Sequence, residues 1–483
     1  MRGAVLLLAF MVATQDELAT KSAAGKELMA AGRYAEAARV YRELVQALPG
    51  NPGLLLNLGM ALHLSGQDRE AVAPLEKALR LQPDAFPAAL FLGASSLRLG
   101  RAAAAVAPLE KAVRLQPDNT DARSLLVQAL LALDRPAAAE PHLRWLSERM
   151  PADPATWFNL GQAYEALEAQ ALDELVQRHP ASAFALAAAA ESRLRQRQRS
   201  AAFHLYRQAI ERSPALRGLH AAVAEIYRSE GHADWAAVEE ERERALPGPD
   251  CAREPLACRF AAGKYVDVIA APDAKTAEAS YWRSRAYREL AAQAFGRLGA
   301  LPPSVQSHQR TAELRRSEQR YAESAEAWRR AIALAPEDPG LRLQLAVTLR
   351  LGQDFAGARQ ALEEMLKGAP DDPQANYLLG DVLLAEQQAE QAIPFLEKAV
   401  RLDPRQLHAH GALGRAYALV GRTGEAIPHL KQALAADDDG SLRYQLARAY
   451  QATGQDELAR AALADYEAFR KKAAGPVEPI TPP

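Results

Sequence analysis

Apolar and small residues return along the chain in a fixed order. Leu58-Gly59, Ala71, Leu75, Ala78 and Pro83 come back as Leu92-Gly93, Ala105, Leu109, Ala112 and Pro117, each 34 positions on. Segments 76–84 (EKALRLQPD) and 110–118 (EKAVRLQPD) are near copies, and EKAVRLDP recurs at 397–404. A period of this length, with a glycine near its middle and a proline near its end, predicts two helices joined by a turn. Such self-similarity marks a stacked array in which each unit buries its face on its neighbours. Repeats are expected at 18–51, 52–85, 86–119, 120–153, 183–216, 217–250, 305–338, 339–372, 373–406, 407–439 and 440–472, with a shortened one at 154–182.

Each recurring position has a physical reason. The first helix carries a small residue at Gly25, Gly59, Gly93, Gly161, Gly380 and Gly414. The second carries an alanine, as at Ala37, Ala71, Ala105, Ala358, Ala392 and Ala426. Only tiny side chains at these places let two helix backbones approach closely. Gly32, Gly66, Gly100, Gly231, Gly421 and Gly454 fall where the first helix ends and a positive φ is wanted. A proline such as Pro83, Pro117, Pro370 or Pro404 stops the second helix, because it cannot donate and clashes with the preceding turn. Asn51-Pro52, Asp153-Pro154, Asp338-Pro339 and Asp372-Pro373 then supply an N-cap and a proline at the first helical position. This set of positions at 34-residue spacing resembles the tetratricopeptide repeat (TPR) family. The resemblance implies an all-α, α-α superhelix of about 12–13 helix pairs. Its first helices would line a concave face that holds an extended peptide or a helix.

Two places break the period. Gly161 to Pro180 is about five residues too short, so a turn or a helical turn is missing. A second compressed unit is expected at 276–303, without a clear turn. Between them, 247–275 contains PGPDC, REPLAC and AAPD and reads as loop plus one short helix, Arg259 to Ala270. This interruption splits the array into two blocks. The expected organisation is a signal peptide at 1–14, an N-terminal block at 15–250, an irregular segment at 251–303, a C-terminal block at 304–472 and a disordered Pro-rich tail at 473–483.

Composition agrees with helix. Alanine makes up roughly a fifth of the 483 residues while Val and Ile are scarce, which disfavours a large sheet. Lys plus Arg number 58 against 60 Asp plus Glu, a net charge of -2, so no basic footprint for nucleic acid is expected. No run approaches the roughly 20 apolar residues of a membrane span. Arg2 followed by the apolar run Ala4 to Ala13 resembles a secretory signal, although Met11 spoils the cleavage site ending at Ala13. The expected location is periplasmic or secreted; the alternative is a cytoplasmic protein with an N-terminal extension.

Chemistry-bearing clusters are sparse. Cys251 and Cys258 are the only cysteines. In an oxidising compartment they would staple the interruption with a disulfide, and in a reducing one they would be free thiols. His408 and His410 are two apart, so they point to different faces of a helix and read as surface residues. Asp437-Asp438-Asp439-Gly440 lacks the alternating ligands and terminal Glu of a calcium loop and reads as turn and N-cap. No phosphate-loop, dinucleotide, zinc-protease or serine-hydrolase motif occurs. With repeats over nearly the whole chain, no catalytic residue, metal or cofactor is expected, and no enzyme.

Function then falls to the inner face. Taking the second, fifth, ninth and twelfth positions of each repeat as exposed there gives an apolar stretch of Leu56, Met60, Leu90, Leu97 and Phe158 in the first block. Glu225, Arg228 and Arg316 follow in the middle, and Tyr377, Arg415 and Tyr444 in the second block. The expected function is a non-catalytic scaffold or adaptor of the cell envelope that holds protein or peptide segments in this groove. The alternatives are an assembly chaperone or secretion accessory that holds clients transiently, and a regulatory subunit of an enzyme complex. The same leucines could instead pack between repeats. Two specialised TPR sites are not matched. The clamp for heat-shock protein C-termini would need Asn where Met60 follows Lys26, and an asparagine ladder survives only as Asn57 and Asn159.

Overall fold

The computed structural model describes residues 2–272, 275–474 and 479–483, with side chains from residue 16 to 471 and again from 479. The side chains of the expected export signal lie outside the described residues. Among the described residues the chain forms 26 α-helices and one short 3-10 helix, Leu434–Ala436, with no strand. None of these helices is long and apolar enough to cross a membrane.

Helix boundaries follow the local chemistry. Asn51 caps helix Pro52–Leu64 by accepting from the Leu54 amide at 3.1 Å, and Asp372 caps helix Pro373–Ala385 through the Ala375 amide at 2.7 Å. Asp153 and Asp338 act in the same way on the Thr156 and Gly340 amides. Within a repeat the helices cross at glycine. A methyl group at Gly59 would collide with Leu75, at Gly93 with Leu109, at Gly380 with Leu396 and at Gly414 with Leu430. These leucines are fully buried, so the pair Gly–Leu sets the helix separation in these four repeats.

The turns contain a departure from the expected pattern. Six of the repeats carry glycine there with positive φ, but five others place Asp134, Arg197, Gln319, Gln353 and Gln387 in the same left-handed conformation, with φ between 52° and 63°. Helices on both sides fix the backbone, so these residues absorb a strain of about 1–2 kcal/mol each.

The described chain divides into two compact units. The first comprises Met1–Asp173, Pro255–Ala274 and Trp282–Phe295; the second comprises Glu174–Glu254, Lys275–Tyr281 and Gly296–Pro483. The chain passes from one unit to the other after residues 173, 254, 274, 281 and 295, and the second and third of these points lie within the interruption at 247–275 that the sequence suggests.

The first unit explains the two irregular repeats. Pro154–Arg178 is one continuous helix of 25 residues, and Ala277–Gly299 is another of 23. Neither contains a turn, so neither is a shortened repeat in the expected sense. They pair with each other instead. Phe158 meets Phe295 edge-on at 6.5 Å, Tyr164 meets Tyr287 at 6.1 Å, and Arg288 donates to Glu168 at 2.8 Å. Gly161 faces the Phe295 ring, as Gly59 faces Leu75. Leu160, Ala163, Tyr164 and Leu167 share one apolar core with Leu290, Ala291 and Ala294.

The interruption is also more ordered than expected. It forms two short helices, Pro255–Ala261 and Tyr265–Ile269, rather than one, because Gly263 adopts φ 70° between them. Phe260 packs on Tyr265 and Trp282 at 5.2 and 5.1 Å, and Val268 is fully buried. Cys251 and Cys258 are disulfide-bonded.

The second unit holds a continuous core from Ala312 to Tyr450. The composition of residues 473–483 predicts a disordered tail; Ile480 is half-buried, and the Thr481 carbonyl accepts a hydrogen bond from the Tyr227 hydroxyl at 2.7 Å.

Candidate functional site

Inner positions of the first unit are largely used for packing. Leu56, Leu90 and Leu97 are half-buried and lie against the core that Leu58, Leu92 and Leu126 help form. Met60 is half-buried as well, and Phe158 rests on Phe295. In the same unit a buried polar network links neighbouring repeats. His63 Nδ1 lies 2.7 Å from Asp68 and 2.9 Å from the Ser95 hydroxyl, while Arg98 reaches both Asp68 at 3.0 Å and the His63 carbonyl at 3.0 Å.

In the second unit Glu225 and Arg228 are exposed and pair with each other, and Arg228 also pairs with Glu240. Their charges are thus largely spent within one repeat. Arg316 is half-buried and donates to Gln344 at 2.8 Å.

The repeats from 339 to 452 are different. Asp381, 9% exposed, receives Arg350 on one carboxylate oxygen at 3.0 Å and Arg415 on the other at 2.7 Å. Three successive first helices supply these three residues, each at an inner position. One carboxylate against two guanidinium groups leaves a surplus positive charge. Arg448, one repeat further, has no ion pair among the described residues. Tyr377 packs beside this row, and burial together with the Asp381 charge pushes its phenol up to about 12. It is therefore neutral at any ordinary pH. Two clefts, each of about 430 Å³, adjoin the row. One is lined by Arg350, Phe355, Asp381, Leu384, Arg415 and Leu419; the other includes Arg415, Leu419, Tyr444 and Arg448. Leu419 is 68% exposed and Tyr444 44%, so both present apolar surface beside the arginines.

Sequence models of the tetratricopeptide repeat match residues 28–94, 96–164 and 315–382, and a further one matches 371–439. The chain belongs to the TPR family. Solved TPR structures align with parts of it. A thermophilic TPR protein of Thermus thermophilus, TTC0263, is 26% identical over 34% of this chain and 90% of that one, with a TM-score of 0.29. MamA is 19% identical over 34% and 96%, with a TM-score of 0.30. The TPR domain of P58(IPK) is 16% identical over 84% and 99%, with a TM-score of 0.23. No curated protein matches the chain in sequence.

Of the inner residues that the TPR register singles out, the fold brings Arg415 and Tyr444 to one cleft and sets Tyr377 beside the Asp381 bridge. Arg350, Leu419 and Arg448 complete that face. Arg350 and Arg448 stand at inner positions of the register, whereas Leu419, at the end of its helix, is one position beyond it. Of the histidine pair, His408 is exposed as the sequence suggests, whereas His410 is not. His410 is buried and lies 2.8 Å from His429 of the next TPR helix, while His408 stacks on Tyr377. Among the described residues no group of three or more His, Cys, Asp or Glu side chains converges as a metal site would require.

Proposed function

We propose that this TPR protein is a non-catalytic scaffold or adaptor that holds a segment of another protein along the inner face of its 339–452 repeats. The observation that carries this reading is the Asp381 carboxylate held between Arg350 and Arg415 beside the exposed Leu419 and Tyr444. A surplus of positive charge next to apolar side chains suits a segment with an acidic group and an apolar residue close together. Guanidinium groups bind carboxylates bidentately, and the apolar contacts add area that water leaves on docking. TPR proteins bind proteins or peptides as a family, which supports the same reading.

In-cell crosslinking with mass spectrometry tests it, comparing the native chain with a Leu419→Glu, Arg448→Glu variant. Both residues are exposed, so helical content should be unchanged while the crosslinked partner is lost. Retention of the same partner by a folded variant sinks the proposal.

We also propose export to the cell envelope. Arg2 with the apolar run Ala4 to Ala13 supports it, as does the disulfide bonding of Cys251 and Cys258, since such bonds persist in oxidising compartments. N-terminal sequencing of the mature protein from fractionated cells is the check; an unprocessed chain in the cytosol would overturn it.

A further inference from the structure

Tyrosine recurs at the eleventh position of several repeats, and its hydroxyl needs a partner when buried. Tyr164 donates to Glu140 at 3.1 Å, and Tyr417 donates to Glu397 at 2.7 Å. In both cases the acceptor is a glutamate on the second helix of the preceding repeat. Tyr227 occupies the same position in the 217–250 repeat and is fully buried. The preceding second helix, Arg199–Arg212, carries Phe203 and Arg207 at the registers of those two glutamates. Phe203 lies against the Tyr227 ring at 5.5 Å, and Arg207 reaches towards Glu239. Neither can accept. The Tyr227 hydroxyl donates instead to the backbone carbonyl of Thr481, 254 positions away.

The segment that supplies this carbonyl is Pro479-Ile480-Thr481-Pro482-Pro483. Its prolines fix φ, and the residues before proline are held extended, so it loses little entropy on docking. Pro479 and Pro482 are exposed, so they hold the backbone extended while Ile480 and the Thr481 carbonyl face the repeat. Around the hydrogen bond, Tyr227 is flanked by Phe203 and by Trp235 at 5.4 Å, and Trp235 stacks on His232 at 3.9 Å. Ile480 is half-buried, and a backbone carbonyl is an acceptor that any sequence of this class offers.

We propose that the Tyr227 repeat is a binding site for extended proline-rich segments, and that the chain's own residues 479–483 occupy it as an intramolecular ligand. A partner segment of the same class must displace the tail, which is present at the millimolar effective concentration of a short tether.

The probe is a fluorescein-labelled peptide of sequence 475–483, titrated against three full-length chains and read by anisotropy. The native chain should bind it at least ten-fold more weakly than a chain carrying Pro479→Gly and Pro482→Gly, whose own tail competes poorly. Adding Tyr227→Phe to that second chain should weaken binding by roughly 2- to 10-fold, the loss of one hydrogen bond. A peptide with the same two prolines replaced by glycine should bind the second chain more weakly than the native peptide, a comparison that needs no further change in the protein. Equal binding by native and tail-substituted chains, or no saturable binding to either, overturns the proposal. So does a concentration-dependent dimer of the native chain that vanishes with the tail substitutions, because the tail would then dock on a second copy.

Discussion

Gly161 and Phe295 meet at a helix crossing, and a Cβ added at Gly161 would lie 2.5 Å from the edge of the Phe295 ring. At the same register Gly59, Gly93, Gly380 and Gly414 face a leucine, and Gly25 faces Tyr41, each on the second helix of its own repeat. Here its partner is the Phe295 ring, from a helix that begins more than a hundred residues later.

Gly161→Val should therefore cost about 1–3 kcal/mol of stability, as overpacking does. Phe295→Leu alone should cost less, and the two together less than their sum, since the smaller side chain makes room. Urea denaturation of the four proteins, followed by circular dichroism, measures the coupling.

Gln387 holds φ 63° between two well-packed helices. Gln387→Gly should raise stability by about 0.5–1 kcal/mol, because relief of the left-handed strain exceeds the extra entropy that glycine loses. The same change at Gln388, a neighbour without positive φ, should not stabilise. Thermal melts of both variants decide the point.

Asp437 is buried, accepts from the Leu442 and Arg443 amides at 3.0 Å each, and pairs with the Arg443 guanidinium at 2.7 Å. It anchors the start of helix Ser441–Ala452 from outside the usual cap position. Asp437→Ala should cost about 2 kcal/mol and speed hydrogen exchange at residues 442–444. Asp437→Asn, which keeps one acceptor oxygen, should fall between.

The His410–His429 contact carries a pH dependence. The Pro404 carbonyl lies 3.2 Å from His410 Nε2, which fixes a proton there and leaves Nδ1 as acceptor for His429 Nδ1–H. Burial, and then the neighbouring His410, lower the His429 pKa, against smaller opposing effects from Glu397 and Glu425; Tyr417 packs on the same ring. A depressed histidine favours the neutral native form. Its stabilisation is present above the unfolded value of about 6.5 and is lost as pH falls from there through the folded value. His429→Gln, which can still donate to His410, should flatten this loss in denaturation curves at pH 7.5, 6.5 and 5.5.

Much of the array was legible because its determinants are local. Asn51 and Asp372 cap where their sequence says they should, and Gly59 and Gly380 cross where a small residue recurs. What escaped was of two kinds. Asp134, Arg197, Gln319, Gln353 and Gln387 adopt a glycine-like conformation with no compositional mark, since flanking helices impose it at modest cost. The partnership of 154–178 with 277–299 was invisible because a local period identifies a helix but not a distant partner. The inner face was half legible. Register places Arg415 and Tyr444 on the inner face, where they line one cleft, whereas Leu56, Leu90 and Leu97 would show the same apolar pattern in a groove or in a seam between repeats, and they are half-buried against the core.

The pairing of those two long helices has a bearing on synthesis. An array of nearest neighbours can fold as it leaves the ribosome, each repeat docking on the last. Helix Pro154–Arg178 can do so only in part: Tyr164 reaches Glu140 on the repeat before it, but the bond between Glu168 and Arg288 spans 120 positions. At about 5–20 residues per second that gap lasts on the order of ten seconds. During that interval Phe158, Gly161 and Glu168 wait for partners that have not yet been made. The nascent chain thus has a built-in interval of vulnerability, and the moment at which residue 295 emerges is when the first unit can close.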